Sequence, residues 1–343
     1  MRILVTGGTG FIGSHTAVAL LESGHDVFIV DNLNNSRPQV VEAIAQITGK
    51  KVVFAHIDCC DEQALDTFFT LHRLDAVIHF AALKAVGESV QKPLWYYKNN
   101  LLSLLNILTL CEKHQVHNVV FSSSCTVYGE PDYLPIDEQA SIKQPESPYG
   151  NTKKIAEEIL RDTTAATSIK AISLRYFNPV GAHPSALIGE YPMGRPNNLM
   201  PVITQTAIGK LNQLQVFGTD YDTIDGSNVR DYIHVVDLAQ AHVVAIERML
   251  NGKTKANYEV FNLGTGNGIS VLEMINAFEK YTGQKLNYSL TNRRPGDVVQ
   301  VWANTHLANI ELGWKATRTL ENMVTDAWRW ELALKQKSNN NAQ

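Results

Sequence analysis

Cysteine is scarce in this chain and falls in no chelating pattern. Cys59, Cys60, Cys111 and Cys125 are the only four, and none stands in a C-x-x-C spacing, so a metal clasp or redox pair is not expected and all four read as reduced thiols. Long hydrophobic runs are lacking too: no stretch of about 18 apolar residues occurs, which argues against a membrane span. Met1 and Arg2 lead at once into Ile3-Leu4-Val5-Thr6-Gly7, an apolar run too short and too soon broken by glycine for a secretory leader. A soluble, cytoplasmic protein is the expectation. Charge of one sign is also missing. Lys and Arg total 30 against 34 Asp and Glu, a formal net charge of -4, so no broad basic field exists to hold nucleic acid or an anionic membrane. The 11 histidines are scattered without an H-E-x-x-H pairing, and no metal site is expected. A small-molecule partner remains.

What is present is apolar material in short runs. The 343 residues are 44% hydrophobic, enough for one large or two modest cores. Runs at Ile3 to Thr6, Val27 to Val30, Val52 to Ile57, Ala76 to Ala81, Val119 to Ser122 and Ala171 to Leu174 alternate with longer amphipathic stretches. Strands alternating with helices imply a parallel sheet covered on both faces, the doubly wound α/β pattern of a Rossmann-type domain. After Asn178 the texture changes, with Pro179, Gly181, Pro184, Gly189, Pro192, Gly194 and Pro196 crowded together, which marks a boundary or a long loop. The expected division is a cofactor domain over 1–177 and a smaller mixed α/β substrate domain over 178–343, with a segment near 230–262 returning to the first. Pro93 to His114 is a helix apolar nearly all round, buried on several sides, either central in a monomer or part of a subunit interface. The tail from Ser338 to Gln343 has the polar composition of a disordered end.

Directly after the first strand comes Gly7-Gly8-Thr9-Gly10-Phe11-Ile12-Gly13. Glycines there let the backbone approach a pyrophosphate, and the following helix presents its N–H groups and positive dipole end to it. The second strand ends on Asp31, at the distance expected for the acid that binds ribose hydroxyls. A carboxylate repels a 2′-phosphate, so NAD is favoured over NADP. The candidate cofactor contacts of this region are Gly7, Gly10, Phe11, Ile12, Gly13, Asp31, Asn32, Leu33, Asn34, Asn35, Ser36, Asp58 and Cys59. Asp58, after the third strand, could accept from the adenine amino group or cap the next helix, and both readings stand.

Tyr149 and Lys153 form a Y-x-x-x-K pair on one face of a helix whose start is marked by Ser147 as N-cap and Pro148 at the first position. A tyrosine titrates near pH 10, so acting as a base near neutrality requires its pKa to fall by roughly 3, about 4 kcal/mol of preferential stabilisation of the phenolate. Lys153 and an oxidised nicotinamide are the available positive charges. The strand before that helix ends Ser122-Ser123-Ser124, which puts a hydroxyl where it could share a hydrogen bond with the same sugar oxygen as Tyr149.

Together with His79-Phe80-Ala81-Ala82-Leu83-Lys84, Arg175-Tyr176-Phe177-Asn178-Pro179, Pro196-Asn197-Asn198-Leu199-Met200-Pro201 and Val229-Arg230-Asp231-Tyr232-Ile233-His234, these motifs make the chain resemble the extended short-chain dehydrogenase/reductases, and among them the UDP-glucose 4-epimerases, along nearly its whole length. The resemblance implies NAD-mediated transient oxidation at C4 of UDP-glucose or UDP-galactose through a 4-keto intermediate, in galactose metabolism, by a homodimer formed through the Pro93 helix and the Tyr149 helix. It implies that Phe80, Ala81, Ala82, Lys84, Asn99, Ser124, Tyr149, Lys153 and Phe177 join the NAD site. It also implies that Lys84, Ser124, Tyr149, Asn178, Asn198, Leu199, Phe217, Arg230, Tyr232, Arg294 and Asp297 hold the UDP-sugar, the two arginines as planar charged forks for its pyrophosphate. Nucleotide-sugar dehydratases carry an acidic pair after the catalytic hydroxyl, where this chain has Cys125 and Thr126, so elimination lacks its acid and base. Decarboxylation, or a non-catalytic NAD-sensing module on the same fold, are the other readings. Val301 stands where the resembled family has a tyrosine closing the hexose pocket. Unless neighbours fill the space, some turnover of UDP-N-acetylhexosamines follows.

Overall fold

The computed structural model describes residues 1–294 and 297–340. The first half alternates strands with helices, two of them between β4 and β5: β1 (Arg2–Thr6), α1 (Phe11–Glu22), β2 (Asp26–Asp31), α2 (Gln39–Thr48), β3 (Val53–His56), α3 (Glu62–Leu71), β4 (Ala76–His79), α4 (Val86–Gln91), α5 (Pro93–Lys113), β5 (Asn118–Ser122), α6 (Pro148–Ala166) and β6 (Lys170–Tyr176). The second half is shorter-grained: β7 (Asn178–Val180), α7 (Leu199–Ala207), β8 (Leu214–Phe217), β9 (Val229–Arg230), β10 (Tyr232–His234), α8 (Val235–Leu250), β11 (Tyr258–Leu263), β12 (Ile269–Ser270), α9 (Val271–Thr282), β13 (Tyr288–Thr291), β14 (Gln300–Val301) and α10 (Leu320–Asn340).

Seven of these strands form one all-parallel sheet in the order β11-β6-β5-β4-β1-β2-β3. From β1 to β5 each strand leads into a covering helix, so both faces are covered and the central strands read as unbroken apolar runs, while edge strand β3 is only partly buried. In β1, Ile3 and Val5 face a core shared with Leu20 of α1 and Leu238 and Ile246 of α8. Leu4 faces the opposite core, with Leu65, Leu104, Ile107 and Leu160, as the two-residue period of a strand requires. The doubly wound sheet is the expected fold class. Beside it lies a smaller region of short sheets, β10-β7, β12-β9-β14 and β13-β8, packed on α7, α9 and α10 around Met274, Phe278, Met323 and Val324. The chain returns to the large sheet through α8, which packs along α1, and β11.

Helix α5 is buried at Ser103, Leu104, Asn106, Ile107, Leu108, Leu110 and Cys111 and packs on α3, α4 and α6, while Leu94 is 83% and Leu105 45% exposed. One expectation needs correction: the polar tail does not begin at Ser338. Helix α10 continues to Asn340, since extending an existing helix is far easier than nucleating one; residues 341–343 lie outside the described part.

Candidate active site

The turn after β1 is shaped for close approach. Gly7 has φ +68°, and a Cβ on it would lie 2.9 Å from the Ala81 amide nitrogen, so the glycine loop and the segment after β4 stack without side chains between them. A Cβ on Gly13 would run into the Gly7 carbonyl. Helix α1 starts at Phe11 with Gly10 as its cap, and no side chain caps it, leaving the helix start to an anionic ligand. This cradle of backbone, closed to any Cβ, fits a dinucleotide pyrophosphate.

Asp31, buried at the end of β2, is held by three donors: the Thr9 amide (3.1 Å), the Leu33 amide (2.8 Å) and the Ser36 hydroxyl (3.1 Å). Ser36 also shares a hydrogen bond with Thr9 at 2.7 Å, tying the ribose loop to the glycine loop. Leu33 carries φ +57°, a left-handed conformation that a leucine holds only where neighbours enforce it; here the enforcing contact is Asp31. Asn34 and Asn35 are exposed. Asp58 accepts from Asn32 at 3.0 Å and from the Cys60 amide at 2.8 Å. Burial pushes its carboxyl up, but those two donors outweigh it and hold Asp58 below its ordinary range. The cap of α3 is Asp61, which accepts from the Ala64 amide at 3.0 Å, so Asp58 is not needed as a cap. The Cys59 side chain is in the core, and its carbonyl is taken by Asn106 at 3.0 Å. Phe80 packs on His242 with ring centroids 4.6 Å apart. Asn99 donates to Asn100 at 3.0 Å.

At the neighbouring strand ends stand the residues with chemistry. Ser147 accepts from the Gly150 amide at 3.2 Å and Pro148 begins α6, which sets Tyr149 and Lys153 on the first turns facing β5. The buried Lys153 ammonium donates to the Ser122 carbonyl at 2.7 Å and lies 4.8 Å from the Phe121 ring and 5.9 Å from the Tyr149 ring. Burial brings its pKa down to about 7, with Glu157 pulling the other way. Tyr149 is pushed above its ordinary value by burial, and the Ser124 hydroxyl only partly offsets this. Burial thus opposes phenolate at Tyr149, and a bound cation such as oxidised nicotinamide would favour it.

Of the three consecutive serines only Ser124 is left for a ligand. Ser122 shares a 2.6 Å hydrogen bond with the Tyr176 hydroxyl, and Ser123 donates to Glu157 at 2.5 Å. Ser124 accepts from the Thr126 amide and hydroxyl at 3.2 and 3.0 Å.

Sequence reasoning missed the groups that hold this arrangement. Glu157 stands one turn beyond Lys153 and pairs with the buried Arg175 guanidinium at 2.9 and 2.5 Å. Arg175 continues to the Tyr128 hydroxyl (2.9 Å), and Tyr128 donates to Asn262 (2.7 Å). Asp231 was passed over as well. Its buried carboxylate accepts from the Thr265 amide and hydroxyl, the Gly266 amide and the Ala303 amide, at 2.7 to 3.2 Å, and fixes the strand that carries Arg230. The i, i+4 spacing from Lys153 was the available sign of Glu157; Asp231 had none beyond its neighbours.

On the substrate side, β14 pairs with β9 so that Val301 is in register with Arg230, and β10 pairs with β7 so that Tyr232 is in register with Asn178. Val301 is buried with Val127, Tyr128 and Phe177. Arg294 lies 5.4 Å from the Phe217 ring centroid and forks onto Asp297 at 2.7 to 3.2 Å. Arg230 donates to the Val229 carbonyl at 2.9 Å. The Tyr232 side chain is buried and belongs to the core around α7 and α9. Asn198 precedes Leu199 at the start of α7 and donates to Glu190 at 2.6 Å, and Lys84 donates to the same carboxylate oxygen at 3.1 Å. Among the described residues no group of three His, Cys, Asp or Glu could hold a metal, and no helix is long and apolar enough to cross a membrane.

A family model described as GDP-mannose 4,6 dehydratase matches residues 4–327. The UDP-glucose 4-epimerase of Yersinia enterocolitica is 50% identical over 332 residues, covering 96% of this chain and 97% of that protein. The crystal structure of UDP-glucose-4-epimerase from Stenotrophomonas maltophila with bound NAD and formylated UDP-arabinopyranose superposes with a TM-score of 0.95 at 48% identity, covering 98% and 99% of the two chains. That of UDP-glucose 4-epimerase from Bifidobacterium longum with NAD+ and UDP gives 0.93 at 49% identity, covering 97% and 98%. With half of its residues shared along almost the whole chain and the same fold throughout, this chain belongs to the UDP-glucose 4-epimerase family of extended short-chain dehydrogenase/reductases.

Proposed function

We propose that this protein interconverts UDP-glucose and UDP-galactose by NAD-dependent transient oxidation at C4. The observation that carries the reading is the meeting of Tyr149, Lys153 and Ser124 at the strand ends beside a glycine cradle and a pre-oriented Asp31, in a chain with this family membership. Bound NAD supplies the two-electron acceptor and donor for C4. Tyr149 takes the proton of the sugar O4 and later returns it, while Ser124 hydrogen-bonds the same oxygen. Lys153, fixed by the Ser122 carbonyl, contributes positive charge beneath the Tyr149 ring. Arg230 and Arg294 take the UDP pyrophosphate, with Asn178, Asn198, Leu199, Phe217 and Asp297 around the nucleotide. Firm holding of UDP with looser holding of the hexose lets the 4-keto sugar turn over before it is reduced on its other face. No carboxyl stands at Cys125 or Thr126, which supports epimerisation over dehydration.

Val301 extends this to N-acetylated sugars. It is smaller than the tyrosine of the resembled family and sits against Phe177 beside Arg230. Purified protein incubated with UDP-galactose, without added NAD, is expected to form UDP-glucose, and in parallel to convert UDP-N-acetylgalactosamine. Reaction of the first alone means that neighbours fill the space beside Val301. Reaction of neither, with NAD supplied, rejects the assignment.

A homodimer is the proposed assembly. Leu94 and Leu105 extend along α5 from Val86 and Val90 of α4, all at least 45% exposed, a strip suited to an isologous contact. Sedimentation of the wild type as a dimer, and of Leu94→Glu with Leu105→Glu as a monomer, is the expected result; a monomeric wild type removes the proposal.

A further inference from the structure

The loop between β7 and α7 carries two residues with no part in the chemistry above. Its first half is anchored to α10. Ala182 bridges Gly189 in antiparallel register, the His183 amide donates to the Ile188 carbonyl at 3.1 Å, and the Trp330 indole donates to the Glu190 carbonyl at 2.9 Å. A Cβ on Gly189 would sit 2.6 Å from that indole, so the hairpin lies flat against Trp330. It delivers two consecutive residues, Glu190 and Tyr191, towards the cofactor side.

Both make contact on opposite flanks of the glycine turn, and Glu190 also accepts from Asn198 at 2.6 Å. Glu190 meets Lys84, in the segment after β4, at 3.1 Å. The Tyr191 ring is covered by the Arg37 guanidinium, 3.4 Å from its centroid, in the segment after β2. In the sheet, β4 and β2 are the two neighbours of β1, whose end is the glycine turn. The two anchor points therefore lie in the segments that follow the strands on either side of that turn. Arg37 follows directly on Ser36, which is bonded to both Asp31 and Thr9, so movement of Arg37 is movement of the ribose loop.

We propose that Glu190 and Tyr191 form a two-point strap across the glycine turn that slows release of NAD, with the Arg37–Tyr191 stack as its releasable end. The inference rests on the reading of this turn and Asp31 as the NAD site. The Glu190 end is fixed by Trp330, and its charge is offset by Lys84, so it adds little repulsion next to a pyrophosphate. The Tyr191 end is 38% exposed and holds by a cation over a ring face, an attraction that tolerates sliding and reopens readily. The chemistry gives such a strap a purpose: loss of the cofactor between the two half-reactions would strand a 4-keto sugar.

The test is the rate of NADH release from purified protein, followed by its bound fluorescence after mixing with excess NAD, in the wild type, Arg37→Ala, Tyr191→Ala, Tyr191→Phe and the double variant Arg37→Ala with Tyr191→Ala. Each alanine variant is expected to release NADH about 3- to 30-fold faster, while Tyr191→Phe stays within about twofold of the wild type because it keeps the ring. The double variant is expected to be no faster than either single one, since one interaction is lost in each. Release from Tyr191→Ala at the wild-type rate, or effects that multiply in the double variant, overturns the strap and leaves the NAD site standing. Failure of the wild type to bind NADH overturns the site reading and the strap with it.

Discussion

Replacing Tyr149 with phenylalanine is expected to lower kcat for UDP-galactose by about 10²- to 10⁴-fold, the usual weight of a positioned acid–base group, while NADH continues to bind in a fluorescence titration. The substitution removes one oxygen and leaves the ring beside Lys153. That oxygen is in the least favourable setting for acid–base work in the cleft: burial raises its pKa, and Ser124 returns only part of the shift. Burial also draws the Lys153 pKa down, so the lysine holds its charge less firmly than an exposed one. Reactivity is therefore conditional on the positive charge of the oxidised cofactor, which ties proton removal from O4 to the presence of the electron acceptor. A loss below about tenfold would remove Tyr149 from proton transfer, and loss of NADH binding together with activity would make it a cofactor contact instead.

The second large effect is on stability. Glu157→Ala is expected to cost about 3–5 kcal/mol, because it leaves the Arg175 guanidinium buried without its partner; the reading is a fall in the urea midpoint. Arg175 and Glu157 have side chains only 5% exposed each, so water cannot replace the lost contact. Glu157→Gln combined with Arg175→Met removes both charges and is expected to regain a good part of that loss. A Glu157→Ala midpoint equal to the wild type would mean that the pair does not hold β5, β6 and α6 together.

The strands of the large sheet were legible because parallel strands buried on both faces need continuous apolar runs, and Val5 or Ile78 has no other reading. The glycine loop and Asp31 were legible from spacing. Choosing Ser124 from three adjacent serines came from the family pattern; its physical reason, the capture of Ser122 by Tyr176 and of Ser123 by Glu157, is tertiary. Contacts distant in sequence left no trace. Arg175 meets Tyr128 across 47 positions and Asp231 meets Ala303 across 72, and nothing local in either residue announces its partner. Helix α5 left two readings open, because a leucine pattern records which residues avoid water, and a core and a subunit interface satisfy it equally.

Strand β11 has a consequence for how this chain comes into being. It lies against β6 from Tyr258 opposite Ala171 to Leu263 opposite Tyr176, and closes an edge left open when everything up to residue 177 is made. On the ribosome, the nucleotide-binding half waits with that row of N–H and C=O groups unpaired, a template for wrong pairing, until the chain has crossed to the other half and come back. The two halves are thus laced rather than strung. A single joint placed after residue 177 would carry off the last strand of the large sheet together with the second half.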